Sequence, residues 1–312
     1  MVPSRQSACA ILLLLPVTFI SAMSKPEEPY HLVAGDFEAV IVTDTRRLEA
    51  LYGPRFDRSA VVTSVKLGGR EFVEARGLCD EFGLNGLGVL GYAEAVPEGG
   101  EFIKIGVGAL QRDTAGEYSF IRHWPVVENA RVEVTVQPEA LLVRQAGPSR
   151  HGYACQLEKQ YAITAGGRLT IAYALTNIGG KPFHFEHYNH NFLAFSGAAV
   201  DPAYRLAPAF ALPQAGNDKW ELGEDGLRLR APAPARGGAV FGVDLAAPAA
   251  ENSVVVRHAN GQQLAISGDF PVARFAVWAT QAAVCPEIFH RARLAPGETV
   301  RWTRHYQFSF QP

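Results

Sequence analysis

Cysteine is scarce in this chain of 312 residues: four in all, none in a C-x-x-C or Cys/His zinc spacing. That excludes a cysteine-built zinc module and a dense disulfide framework. Surplus charge is also missing. Twenty-nine Lys+Arg stand against 31 Asp+Glu, a formal charge of −2, without the basic excess of a dedicated nucleic-acid binder. Beyond the N-terminus there is no apolar run long enough to span a bilayer as a helix. No stretch longer than about ten residues carries a 3.6-residue apolar period, and no repeat of solenoid or propeller length is found. What is abundant is punctuation: 30 Gly and 20 Pro interrupt the chain every few positions. Long helices do not tolerate that, whereas a sheet protein with many turns does.

The N-terminus has the layout of a secretory signal peptide. Arg5 supplies a positive charge, Ala10 to Ile20 is apolar, and Ala22 and Ser24 stand at the −3 and −1 positions of a cleavage site. The run is shorter than the ~20 residues of a spanning helix. Residues 1–24 are therefore expected to be removed on export to the periplasm or outside, leaving residues 25–312 as one domain that is not held in a membrane. The mature chain keeps Cys79, Cys155 and Cys285, which leaves either one long-range bridge or buried free thiols.

The rest reads as strand. In Ala130–Pro138, Val132, Val134 and Val136 alternate with Arg131, Glu133 and Thr135, the period of a half-buried strand. Two hairpins are expected, one turning at Ala165–Arg168 and one at Ala259–Gln262, where Asn260-Gly261 suits a type I′ turn. Further runs are Glu38–Thr43, Ala60–Leu67, Phe102–Val107, Tyr118–His123, Phe275–Ala279 and Thr299–Phe308. The Ala-, Pro- and Gly-rich tract Ala231–Ala250 reads as a surface excursion. One large antiparallel sandwich follows.

Chemistry concentrates in two segments. In Lys181–Phe195, an extended chain puts His184, Glu186, Tyr188 and His190 on one face and Phe185, His187 and Asn189 on the other. The bland alternative is a solvated edge strand. A metal held by His184, Glu186 and His190 is another, although the spacing matches no established metal motif. The second segment holds Cys285-Pro286-Glu287, followed by Leu294-Ala-Pro-Gly-Glu298, a turn that fits a closing hairpin, and then Tyr306-Gln-Phe308. Alone, Glu287 reads better as a surface acid beside a turn proline.

Taken in order, these segments resemble the aldose 1-epimerase (galactose mutarotase-like) superfamily. Asn189-His190-x-Phe192 is similar to its Asn-His-x-aromatic strand, and Cys285-Pro286-Glu287 to the segment with its catalytic glutamate. Gly53-Pro54-Arg55-Phe56-Asp57 and Glu101–Gly108 resemble a secreted branch of it. The resemblance implies an all-β fold, an antiparallel β-supersandwich, with His190 as catalytic acid and Glu287 as catalytic base. Arg55, Glu81, Lys104 and Asn189 are assigned to substrate binding. Two departures stand out: Leu78–Gly83 carries acids where the family has Leu-His-Gly-Gly, and Arg55 stands in Pro-Arg-Phe-Asp rather than Asn-Arg-Ile.

The chemistry needs one acid and one base. A base takes the proton of the C1 hydroxyl, an acid protonates the ring oxygen, and the opened ring rotates and recloses as the other anomer. No cofactor or metal is called for. Glu186 on the same face could favour a charged His190, and Trp124, Trp278 or Tyr188 could stack on a sugar, although residues of these types more often belong to the core. The expected partner is a sugar or oligosaccharide, with no nucleic acid. The alternatives are a non-catalytic carbohydrate-binding protein on the same fold and, further off, a polysaccharide lyase or hydrolase.

Overall fold

The strand Cys155–Thr164 buries every second side chain, and its neighbour Arg168–Asn177 does the same over its full length. That alternation lets each strand line a core with one face and meet water with the other. In the computed structural model, which describes residues 28–311, the pattern is extended into two large antiparallel sheets. The expected leader, residues 1–24, lies outside the described residues, as does Cys9.

The first sheet has nine strands. Its main path runs Tyr30–Ala34, Phe37–Val42, Val61–Leu67, Val73–Phe82, Phe183–Leu193, Ala283–Leu294, Val272–Thr280 and Ala239–Ala247. The second has ten, and its middle is Cys155–Thr164, Arg168–Asn177, Thr299–Phe310 and Gln262–Gly268. Between the sheets lies one apolar core, to which Val65, Phe82, Phe185 and Val277 contribute from the first sheet and Leu157, Ile171, Trp302 and Tyr306 from the second. A third, four-stranded sheet, Val89–Asn129, has a small core of its own around Phe102 and Trp124. Cys79, Cys155 and Cys285 are buried free thiols, so no bridge joins them.

Several local expectations need correction. Tyr118–His123 is a turn, not a strand. The tract Ala231–Ala250 contains the strand Ala239–Ala247, which pairs with Val272–Thr280 and is no mere excursion. Leu294–Glu298 closes no hairpin, because the strands on either side belong to different sheets. In the Ser253–Gly268 hairpin only Gly261 has positive φ (+87°), so Asn260-Gly261 does not form a type I′ turn. Thr45–Tyr52 is a helix that the strand reading passed over. Its signals are present: Asp44 caps the backbone N–H groups of Arg46 and Arg47, and Gly53 ends it at φ +59°.

The core is not wholly apolar. Asp80 of the first sheet accepts from Lys159 Nζ (2.9 Å) and Tyr173 Oη (2.8 Å) of the second. Within its own sheet it also accepts from Asn189 Nδ2 (2.6 Å) and bonds His187 Nε2 (2.9 Å). Lys159 reaches Asp57 at 3.3 Å and the Ala60 carbonyl at 3.0 Å as well. Burial alone would push the Asp80 carboxyl up, but Lys159 and His187 hold it below its ordinary range. Burial likewise opposes the charge on Lys159, and Asp57, Tyr161 and Asp80 keep it well above its usual value.

Removing one partner of such a pair leaves an uncompensated buried charge. Lys159→Met is expected to lower the unfolding free energy by about 3–5 kcal/mol in denaturant titrations. At the exposed Arg144–Glu158 pair, Arg144→Met should cost under about 1 kcal/mol.

Candidate active site

Four strands lie side by side in the first sheet: Val73–Phe82, Phe183–Leu193, Ala283–Leu294 and Val272–Thr280. Since Asp80, His187 and Asn189 turn into the sandwich, their neighbours in sequence turn the other way. Register then sorts these into rows. Glu81 lies opposite Tyr188, whose ring stacks on Phe289 at 4.4 Å, and Phe289 lies opposite Arg274. The next row is Cys79, His190, Glu287 and Ala276. A third holds Phe192, Cys285 and Trp278.

The middle row carries the reactive pair. His190 Nε2 is 3.3 Å from Glu287 Oε1, and the two side chains are only 5% and 8% exposed. The imidazole stacks on Phe192 at 4.2 Å and meets Phe56 and Trp278 edge-on, each at 5.5 Å. Its Nδ1 is buried without a hydrogen-bond partner. These apolar walls act on both groups. Burial raises the Glu287 carboxyl to about 8, against the pull of Arg55 and Arg274. Burial also drives His190 well below its ordinary value, with Arg55 and Arg76 adding to the effect. One proton between them therefore rests on the carboxyl. Moving it to the imidazole makes an ion pair with the same proton count.

The helix Thr45–Tyr52 delivers the next component. After Gly53 turns the chain, Arg55 lies between the rings of Phe56 (4.7 Å) and Phe120 (4.8 Å). It donates from Nε to Glu81 at 3.0 Å and from Nη2 to the Tyr188 hydroxyl at 3.4 Å. Tyr188 donates in turn to Glu81. The cleft so formed holds about 660 Å³, and its lining includes Arg55, Phe56, Arg76, Phe120, Phe192, Arg274 and Trp278 beside the pair. That volume falls in the range of small-molecule sites.

The structure thus brings Arg55, His190 and Glu287 together and separates the other assigned residues. Glu81 is fully buried and anchors Arg55 and Tyr188 from behind. Lys104, expected on the cleft, is buried behind Glu81 at 3.7 Å, where a turn after Lys104 carries it. Burial lowers its pKa to about 8. Asn189 points into the sandwich toward Asp80 and Tyr173, on the face opposite His190. Glu186 does not reach His190: Arg291 and Asn85 close it off, and Tyr188 stands between. His184 is exposed, so His184, Glu186 and His190 do not converge as metal ligands would. Trp124 belongs to the small third core, whereas Trp278 does line the cleft. Arg76 and Arg274 were not among the sequence candidates. Alternation of Arg274, Ala276 and Trp278 along one strand face is the signal for the second; a lone arginine beside Gly77 offered none for the first.

No family model and no curated protein matches the sequence. Solved structures do resemble it. A galactose mutarotase related enzyme from Lactobacillus acidophilus superposes with a TM-score of 0.55 at 13% identity, covering 91% of this chain and 98% of that one. A galactose mutarotase-like protein from Lactobacillus casei gives 0.53 at 12% identity, over 90% of this chain and 100% of its own. An aldose epimerase homologue from C. elegans gives 0.52 at 10%, over 90% and 98%. The fold is that of the galactose mutarotase-like β-sandwiches.

The raised Glu287 carboxyl has a consequence for stability. A group whose pKa is raised by folding contributes fully below its unfolded value and loses that contribution as pH rises through the folded one. For Glu287 that window runs from the ordinary carboxylate range to about 8. The depressed His190 acts in the opposite sense, but only below its ordinary value. Glu287→Gln should therefore melt progressively higher than the parent as pH rises from about 6.5 to 8, with the difference levelling off above that at roughly several degrees. Scanning calorimetry across that range checks it; a constant difference would contradict the buried carboxyl.

Proposed function

We propose that this cleft, on a galactose mutarotase-like fold, interconverts the anomers of an aldose by acid–base ring opening. The observation that supports it most is the buried His190–Glu287 contact, an acid and a base at 3.3 Å whose proton affinities are displaced in opposite directions. In the proposed mechanism Glu287 takes the proton of the C1 hydroxyl and His190 supplies one to the ring oxygen. The ring opens, C1 turns, and the same groups return the protons with their roles reversed. The form that starts this cycle has its single proton on His190. It is an isomer of the neutral pair that burial favours. A sugar hydroxyl donating to Glu287 and the Arg55 and Arg274 charges both favour the carboxylate. Trp278 and Phe192 supply apolar surface for a sugar face. Export of the enzyme by residues 1–24 is part of the proposal, with a mature N-terminus at Lys25 that mass spectrometry of the exported protein would read.

Glu287→Gln keeps the shape and a hydrogen-bonding amide but cannot accept the proton. Its turnover, followed by anomer-resolved NMR over a panel of sugars, should fall roughly 10²–10⁴-fold with little change in affinity. His190→Asn should fall similarly, and the double variant far less than multiplicatively further. Since the pair must hold one proton, kcat/KM should decline as pH rises through about 8. Sugar binding without any acceleration of anomer exchange would instead identify a carbohydrate-binding protein.

A further inference from the structure

We propose that the sugar bound here is an acidic one, an aldose bearing a carboxylate or phosphate group, which Arg274 and Arg55 hold beside the His190–Glu287 pair while Arg76 adds positive charge from the other side of the cleft. The proposal rests on the epimerase reading and adds the substrate class.

Three guanidinium groups reach the cleft from three separate elements, each side chain about a third exposed (31%, 34% and 29%). Among the residues lining it, Glu287 is the one carboxyl, and burial keeps it protonated up to about pH 8. The acids that do face the arginines lie behind or outside. Glu81 is fully buried beneath Arg55, and Glu74 binds Nε of Arg76 at 2.7 Å. Asp244 stands 4.0 Å from Arg274, is 70% exposed, and is shared with Arg291. Arg274 is thus the least compensated of the three, and its buried Nε has no hydrogen-bond partner.

A neutral hexose presents hydroxyls, for which amide and hydroxyl side chains suffice. Guanidinium groups match a carboxylate or phosphate, through paired N–H donors and full charge. Placement agrees as well. Arg274 and the Glu81–Arg55 unit stand at the two ends of the row adjoining the reactive one. Rows on one strand face are about 6.5–7 Å apart, so a substituent held in the adjoining row stays within a side chain's reach of the reactive pair.

The test compares a neutral hexose, its C6 carboxylate and its 6-phosphate, each as acceleration of anomer exchange over the spontaneous rate. Binding to Glu287→Gln is measured by calorimetry in parallel. At least one acidic sugar should exceed the neutral one about tenfold or more in kcat/KM, with an advantage that shrinks as salt is raised. The carboxylate and phosphate arms identify which anion is held. Arg274→Gln should reduce the acidic-to-neutral ratio about tenfold, while Arg274→Lys, which keeps the charge without the paired donors, retains only part of it, both with unchanged circular dichroism. Equal or better use of the neutral sugar overturns this inference and leaves the epimerase reading standing. A ratio that Arg274→Gln does not move overturns it too. Acidic sugars that bind tightly without exchange retire the epimerase and keep the anion site; no binding of any arm retires both.

Discussion

Asp80 is the constraint from which the rest of the arrangement follows. One buried carboxylate takes hydrogen bonds from Lys159 and Tyr173 across the sandwich and bonds His187 and Asn189 beside it. Leaving any of these polar groups unpaired in the core carries a penalty of about 1–3 kcal/mol, more for the charges. The network can be satisfied only if Val73–Phe82 and Phe183–Leu193 keep their present phase. A slip of one residue would turn Asp80 out and Glu81 in. Holding Asp80, His187 and Asn189 inside is therefore what points Tyr188, His190 and Phe192 into the cleft. The interior specifies the site from behind.

The division of material at the cleft is equally physical. His190 and Glu287 stand on adjacent long strands in the middle of a sheet, where backbone pairing on both sides restricts movement. Arg55 and Phe120 come from connections, which move and vary more readily. Proton transfer needs fixed geometry, and recognition of a substituent tolerates adjustment. Arg76 and Arg274 stand on strands, so only the Arg55–Phe120 side of the cleft is carried by connections.

Parity along strands is legible in the residues themselves. Phe183–His190 sorts into two faces by counting alone, and the same count applies to Cys155–Thr164 and Arg168–Asn177. Ordered motifs bring His190 and Glu287 together across 97 residues of chain. Depth is what counting does not supply. Lys104 and Glu81 have the right chemistry for a sugar, yet both lie a layer behind it, because a turn and a strand crossing decide which polar group reaches the cleft. Asn189 is misplaced for a different reason: a motif keeps neighbours together that a strand sends to opposite faces. Arg76 has no pattern around it at all, and only the stacking of its guanidinium on Phe192 at 4.0 Å reveals its place.

The order in which the strands are made bears on how this molecule comes to exist. Thr299–Phe310, the last of the described strands to leave the ribosome, lies in the interior of the second sheet between Arg168–Asn177 and Gln262–Gly268. Until it arrives, that sheet is two separate pieces, each with an unpaired inner edge. No N-terminal portion of the chain can close the sandwich in advance. Closure of the sandwich has to wait for that strand, and the contacts it then makes are distant in sequence and slow to find. A chain ending before Thr299 would lack the seam that joins the halves and would expose edges prone to pairing with other chains.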